Sequence, residues 1–313
     1  MDSGSHDEDL PTVPHERVVL GGRYALGAAL GRGGMAVVRH ATDLRTNQRV
    51  AVKMPQGATA IPRPQERFER EVALMSKVQH PNCMRLLDAG FDPVPFAVLE
   101  LLDGTSLRDA IHRALPAEQV LDLTLQLLRG LRAVHDAGII HRDIKAENLM
   151  LTRRKNGTER LVLIDFGAAI SASAAAGQAA EPCITEVGQV LGTPAALSPE
   201  QLHGEPASYR SDLYAVGVLM FDLLTFESPF PEANVIDLML AKGGPPPPLP
   251  KDVPASVGWM VRSLLARDPQ RRPESCTEAI EIVMYARDMM LQTMGTQTWF
   301  DLVPVRAPNE NDE

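Results

Sequence analysis

The chain has 313 residues, 44% of them hydrophobic, and 31 Lys and Arg against 40 Asp and Glu give a formal net charge of −9. That length suits one large domain or two lobes sharing a cleft, with enough apolar residues to bury a core. The acidic balance argues against a general nucleic-acid binder, which carries a basic face. No uninterrupted apolar run approaches the roughly 18–20 residues of a membrane span.

Residues 1–20 read as a disordered acidic tail. Asp2, Asp7, Glu8 and Asp9 give it charge, and Pro11 and Pro14 break regular structure. Thr12 lies beside the acidic cluster, a solvated position or a modified one. Met1 to Glu16 lacks the basic start and apolar core of a signal peptide. The three cysteines, Cys83, Cys183 and Cys276, lie far apart without metal-ligand spacing. They fit reduced thiols in a reducing compartment. The expectation is a soluble, cytoplasmic protein.

Tyr24 to Leu30 reads as a strand, Gly31 to Ala36 as a glycine-rich turn and Val37 to Thr42 as the returning strand. Such a hairpin lets backbone amides approach a phosphate, although many hairpins carry glycines for the turn alone. Val50-Ala51-Val52-Lys53 is a short apolar strand ending in lysine. Gln65 to Val78 has Phe68, Val72 and Met75 at helical spacing, with Glu71 next to that apolar face. A lysine on a strand and a glutamate on a packed helix can pair and aim the lysine at a phosphate. Leu86-Leu87 and Phe96 to Leu101 are two further strands, and Asp103-Gly104 marks a turn. The boundary between lobes falls here: residues 21–100 form an N-terminal lobe and 101–290 a C-terminal one, leaving 291–313 as a tail.

Downstream the pattern is mainly helical. Leu107 to Ala114 reads as a short helix and Pro116 to Ala137 as a long amphipathic one that Gly138 stops. Then comes His141-Arg142-Asp143-Ile144-Lys145-Ala146-Glu147-Asn148. Neither helical nor strand periodicity asks for that set of polar residues, so it reads as a loop built for transferring a phosphoryl group. Leu149 to Thr152 and Leu161 to Ile164 are strands joined by a turn containing Asn156-Gly157, which favours a hairpin. Asp165-Phe166-Gly167 follows. Ala168 to Val190 is rich in small residues and without periodicity, and is expected to be mobile. Tyr209 to Thr225 reads as a buried helix and Pro245 to Pro248 as a stiff connector. Trp259 to Leu265 and Thr277 to Gln292 are the last helices, and no internal repeat is visible.

The order of these signals is distinctive: glycine loop, Val-Ala-Val-Lys, helical Glu, His-Arg-Asp with Asn five residues after the Asp, Asp-Phe-Gly, then Ser198-Pro199-Glu200. It resembles the eukaryotic-like protein kinase family over roughly residues 24–285. Leu30-Gly31-Arg32-Gly33-Gly34-Met35 and Lys145 look like the bacterial Ser/Thr branch. The resemblance implies an α+β, bilobal fold, with a small mainly β lobe holding one key helix and a larger mainly helical lobe. It implies a serine/threonine protein kinase that uses ATP and Mg2+, with a signalling role.

The roles it implies follow the phosphoryl-transfer template. Gly31 and Gly33 would let the loop backbone lie over the ATP phosphates, with Leu30 also among the ATP-binding residues; Val38 and Ala51 would lie above the adenine and Met150 below it. Lys53 would contact the α- and β-phosphates and be held by Glu71. Glu100 and Leu101 would bond adenine through their backbone, with Leu99 behind them. Asp143 would accept the substrate hydroxyl proton, and Lys145 would offset charge on the γ-phosphate. Asn148 and Asp165 would hold magnesium, a hard cation that prefers oxygen ligands. Glu200 and Arg272 match a buried ion pair, Asp212 an anchor of the catalytic loop and His141 a packed histidine of that loop. Arg142 would be a buried charge awaiting an anion, which makes Thr185 a candidate for autophosphorylation. Thr193 would bond Asp143 and Lys145. Cys183, close to Thr185, is a weaker candidate for a redox switch, since nothing basic flanks it.

Two departures stand out. Ala36 replaces the third loop glycine, and Ala195-Ala196 fall where an aromatic residue usually helps shape the pocket for the side chain following the target hydroxyl. A non-catalytic scaffold and a small-molecule phosphotransferase are the competing readings. The full set Lys53, Glu71, Asp143, Asn148 and Asp165 argues against the first, and Ser198-Pro199-Glu200 against the second. The expected partners are protein substrates carrying Ser or Thr and a second copy for trans-autophosphorylation, with no nucleic acid and no membrane span.

Overall fold

The computed structural model describes residues 18–33, 36–56, 64–154, 156–177, 196–231 and 234–296. The chain divides into two units, Met1–Phe68 with Leu86–Leu101 and Glu69–Arg85 with Leu102–Glu313.

The first unit is built on one antiparallel sheet. Its strands are β1 (Val19–Leu20), β2 (Tyr24–Arg32), β3 (Ala36–Asp43), β4 (Gln48–Pro55), β5 (Leu86–Phe91) and β6 (Pro95–Glu100), in the order β1-β2-β3-β4-β6-β5. Alternation along the strands sorts the side chains onto two faces. Val50, Val52 and Met54 of β4, with Phe96 and Val98 of β6, join Leu20, Tyr24 and Ala41 in one buried cluster. Ala51 and Lys53 take the opposite face. Arg23 forks onto Asp43 at 2.7 and 2.8 Å and reaches Asp88 at 3.0 Å, tying the β3 end of the sheet to β5.

Helix α1 (Pro64–Met75) straddles the division between units. It ends three residues before the expected Val78, yet Phe68, Glu71, Leu74 and Met75 are buried at helical spacing.

The second unit begins with β7 (Gly104–Ser106) and α2 (Leu107–Ala110). Two expectations are corrected here. Gly104 opens a strand rather than completing a turn, because β7 pairs with β9 (Leu149–Arg153), where an added Cβ on Gly104 would lie 2.1 Å from Leu151 O. The helix expected to reach Ala114 stops at Ala110, since Ile111 is already extended. Ser106 starts that helix by accepting the Asp109 N–H at 3.0 Å.

Four long helices make the core: α3 (Ala117–Asp136), α6 (Tyr209–Thr225), α8 (Ala255–Leu264) and α9 (Cys276–Thr296). α3 packs on α6 and α9, and α8 packs on the same two. Gly217 makes the α6–α8 approach possible, because a Cβ there would fall 2.8 Å from Leu264 Cβ. α6 matches its expected span and is buried on nearly every side. Between α3 and α6 lie β8 (Ile139–Ile140), β9, β10 (Glu159–Leu163), β11 (Ile170–Ser171), α4 (Ala172–Gly177) and α5 (Pro199–Leu202). Within 168–190, which shows no periodicity in the sequence, β11 and α4 are regular elements: Ile170 and Ser171 pair with Ile140 and Ile139. The rest of that stretch, from 178, lies outside the described residues. α7 (Val235–Gly243), capped by Asn234, follows α6. No helix among the described residues is long and apolar enough to cross a membrane.

Candidate active site

In the second unit the hairpin β9–β10 assembles the polar centre. Leu149 pairs with Leu163, so Asn148, just before β9, faces Ile164, just after β10. The Ile164 N–H donates to Asn148 O at 3.0 Å, which brings Asp165 beside Asn148 in the backbone. Asn148 then turns its amide on Asp143: Nδ2 donates to Asp143 O at 2.8 Å and to Asp143 Oδ2 at 2.7 Å. Lys145 Nζ lies 2.9 Å from the same Oδ2. Asp143 therefore has its carboxylate fixed by an amide and a cation while remaining half-buried.

The loop that carries Asp143 is strained and anchored. Arg142 takes φ 69°, left-handed backbone that L residues other than glycine rarely adopt. Asp212 on α6 holds it there: Oδ2 accepts the His141 N–H and Oδ1 the Arg142 N–H, each at 2.8 Å. His135 Nε2 lies 2.9 Å from Asp212 Oδ2, and Cys276 Sγ lies 3.3 Å from His135 Nδ1. Burial pushes the Asp212 carboxyl up, but the hydrogen bonds from His135 and from the His141 backbone N–H outweigh it and hold it below the ordinary range. Burial raises the Cys276 thiol, so it is a thiol and not a thiolate. The S–H then fits as donor to Nδ1, leaving Nε2–H for Asp212.

His141 is fully buried and packs edge-on against Phe166, ring centroids 5.2 Å apart. Burial lowers its pKa, so the ring is neutral, and Nε2 has no hydrogen-bond partner among the described residues. Gly167 N donates to Asp165 Oδ1 at 3.2 Å. The Arg142 side chain is half-buried rather than enclosed and makes no ion pair with a described residue. Thr185, Thr193, Cys183 and Ala195 lie outside the described residues.

A second polar centre lies at α5. Arg272 clamps Glu200 with Nη1–Oε1 at 2.7 Å and Nη2–Oε2 at 2.8 Å. Its remaining N–H groups donate to the carbonyls of Ala266, Arg210 and Arg267, so all five are satisfied. Ser211 Oγ also donates to Glu200, at 2.8 Å. Burial raises the Glu200 carboxyl, and Arg272 more than offsets it, leaving Glu200 below its ordinary range.

In the first unit the register aligns Gly31 with Val38 and Val38 with Lys53 across three neighbouring strands. Ala51 pairs with Leu99 and Val50 with Glu100. The Gly33 N–H closes its turn on Ala36 O at 2.9 Å. Leu30 is exposed, and Leu101 directly follows β6. In the second unit, Met150 pairs with Val162 on one side and Ser106 on the other, and Glu71 is buried.

Sequence reasoning read Cys276 only as a reduced thiol, which it is, and passed over His135, Tyr214 and Lys242. The signal for Lys242 was helical spacing, since it stands four residues after Leu238, and both are buried in α7. His135 stands likewise four residues after the buried Leu131.

Against known proteins, residues 24–283 match the protein kinase domain. The chain belongs to that family. It is 39% identical over 271 residues to a probable serine/threonine-protein kinase of Streptomyces coelicolor, covering 83% of this chain and 39% of the relative. It is 35% identical over 290 residues to the serine/threonine-protein kinase pkn2 of Myxococcus xanthus, covering 88% and 34%. Over 281 residues it is 32% identical to the serine/threonine-protein kinase PknB of Mycobacterium leprae, covering 86% and 43%. The chain thus spans less than half the length of each of these three relatives. A protein kinase domain implies ATP and a divalent metal ion.

Proposed function

We propose that this chain transfers the γ-phosphoryl group of ATP to serine and threonine hydroxyls of proteins. The observation that carries the reading is the Asp143 carboxylate, fixed between Lys145 Nζ at 2.9 Å and Asn148 Nδ2 at 2.7 Å. Catalysis of this kind rests on positioning and charge stabilisation rather than covalent chemistry. Asp143 is placed to orient a hydroxyl and accept its proton, and Lys145 to offset charge on the transferred group.

Magnesium fits the donor set. Asn148 spends its Nδ2 on Asp143, which leaves the amide oxygen, and Asp165 adds a carboxylate. Among the described residues no group of three His, Cys, Asp or Glu can hold a metal by itself. An oxygen pair completed by phosphates is what magnesium takes, in preference to an all-protein cage. When bound, the ion held by Asn148 and Asp165 would supply positive charge to offset that of the phosphates. The nucleotide assignments from Leu30 to Met150, and the lobe boundaries 21–100 and 101–290, belong to the same proposal. So do a signalling role and activation by phosphorylation of Thr185, with Arg142 as the cation that would receive the phosphate. Phosphopeptide mapping of the active protein checks the last point, with Thr185 expected to be occupied.

The test is purified protein with Mg-ATP and a generic serine- and threonine-containing protein, set beside Asp143→Asn. Phosphoserine or phosphothreonine is expected from the parent, with a loss of at least about 10³-fold in the variant, which removes the proton acceptor of the template. Equal transfer by both proteins would overturn the assignment of Asp143.

A further inference from the structure

Lys242 is a buried lysine that no part of the reaction uses. It is 2% exposed, on the inner side of α7. Its Nζ donates to the backbone carbonyl of Leu197. The same ammonium lies 5.1 Å from the ring centroid of Tyr214 and 5.0 Å from that of Phe230. These two rings are stacked, 14° apart in plane, so they form an aromatic wall for the cation. Tyr214 also has Arg272 Cζ 4.7 Å from its centroid. Its hydroxyl is buried without a hydrogen-bond partner among the described residues, so the ring serves through its face.

Burying an ammonium is unfavourable unless hydrogen bonds and charge stabilisation compensate. An unbranched apolar side chain would fill the same space without that cost. The ammonium adds a donor aimed at the Leu197 carbonyl, beside its contacts with the two rings. Leu197 directly follows Ala195-Ala196, the pair that by the kinase resemblance falls where an aromatic residue usually shapes the pocket. Three residues on, Glu200 is clamped by Arg272. Residues 197–200 are therefore held at both ends by cations, one on each, and both cations lie against the Tyr214 ring.

We propose that Lys242 is a positioning residue for substrate selection: it fixes the backbone at Leu197, at the end of the stretch that meets the residue following the target hydroxyl. The proposal rests on the protein kinase reading above. Lys242 touches no reacting atom. Its effect falls on how well a protein substrate docks, and leaves ATP and the chemical step alone.

The test is Lys242→Met in the full chain, a swap of similar length and shape that removes the donor. Casein serves as protein substrate, with Mg-ATP. The KM for casein is expected to rise about tenfold, the effect of losing one hydrogen bond from a charged donor. The kcat and the KM for ATP should each move less than about twofold, the pattern of lost substrate binding. In parallel, hydrogen exchange at the amides of residues 197–202 should accelerate in the variant, with exchange in α6 unaltered. An unchanged casein KM overturns the proposal. So does a joint loss of kcat, ATP affinity and melting temperature, which would make Lys242 a general packing residue. If the parent transfers no phosphoryl group, the kinase reading fails, and the exchange data alone then decide whether Lys242 holds this segment. Unchanged exchange at 197–202 overturns it.

Discussion

Two segments of the second unit are held in opposite ways. The loop around Asp143 is held by an anion: Asp212 accepts backbone N–H groups from His141 and Arg142. The segment 197–200 is held by cations: Lys242 donates to the Leu197 carbonyl, and Arg272 clamps the Glu200 side chain. The anion gathers N–H groups that a left-handed residue turns the same way, a nest for negative charge. The cations gather oxygens. A loop whose task is to present a carboxylate benefits from having its backbone fixed from behind, while Lys145 and Asn148 fix the carboxylate in front. The proposed role of residues 197–200 in substrate selection asks for a fixed backbone course instead, with the Leu197 carbonyl satisfied from the core side.

The largest expected effect tests the cationic side. Arg272→Met leaves Glu200 buried without its partner, and should destabilise the fold by about 3–5 kcal/mol in denaturant unfolding. The pH dependence gives the sign. In the parent, Glu200 titrates below its ordinary 4.5, so its contribution is complete above that pH and is lost as pH falls through the folded value. Without Arg272, burial dominates and raises the carboxyl, so protonation relieves the variant. The stability gap between the two proteins should therefore shrink as pH falls from 7 to about 4. A gap independent of pH would show that Arg272 acts through packing and its carbonyl bonds, not through Glu200.

Asp212→Asn tests the anionic side and should cost less, roughly 1.5–3 kcal/mol, the range for hydrogen bonds to a charged group. The amide keeps one oxygen for one backbone N–H and sets its NH2 against another donor. Because Arg142 then loses part of what holds its left-handed backbone, kcat should fall by about 10- to 100-fold while the KM for ATP changes little. A variant with full kcat and lower stability would reduce Asp212 to a core residue and end the contrast.

Much of the candidate site's polar cluster was legible in the sequence because its parts are contiguous. His141, Arg142, Asp143, Lys145 and Asn148 share eight residues, and Asp165 follows one hairpin later. Strand β4 and helix α6 were legible for a different reason: each is a local apolar run, Val50 to Val52 in the strand and most of Tyr209 to Thr225 in the helix. The cationic holding of residues 197–200 was only half visible. Glu200 and Arg272 sit inside recognisable motifs, whereas Lys242 lies 45 residues from Leu197 in a helix that has no motif. The wall that receives its charge comes from Tyr214 on α6 and Phe230 beyond it, residues that read as plain core. The contact between Cys276 and His135 was invisible for the same reason, the two being 141 residues apart and joined only by folding. Short elements were lost where backbone pairing outvoted propensity. Gly104 disfavours a strand by itself, and its place in β7 is decided by the close approach of β9.

The smallest expected effect marks where the catalytic loop stops being rigidly held. Arg108 on α2 reaches Glu147, inside the loop, at 3.1 Å, and Asp222 on α6 at 3.2 Å. This repeats the bridge between loop and core that Asp212 makes, but with side chains about half exposed on the Arg108 and Glu147 ends. Water competes for both charges, and two long side chains lose freedom to hold the pair. Arg108→Ala should therefore cost only about 0.2–1 kcal/mol, and less as salt is raised. Unfolding in denaturant at low and high salt measures both, and kcat should stay within about twofold of the parent. A cost near that of Asp212→Asn would mean that the loop is held from its solvent side as firmly as from the core, and that burial is not what separates a strong anchor from a weak one here.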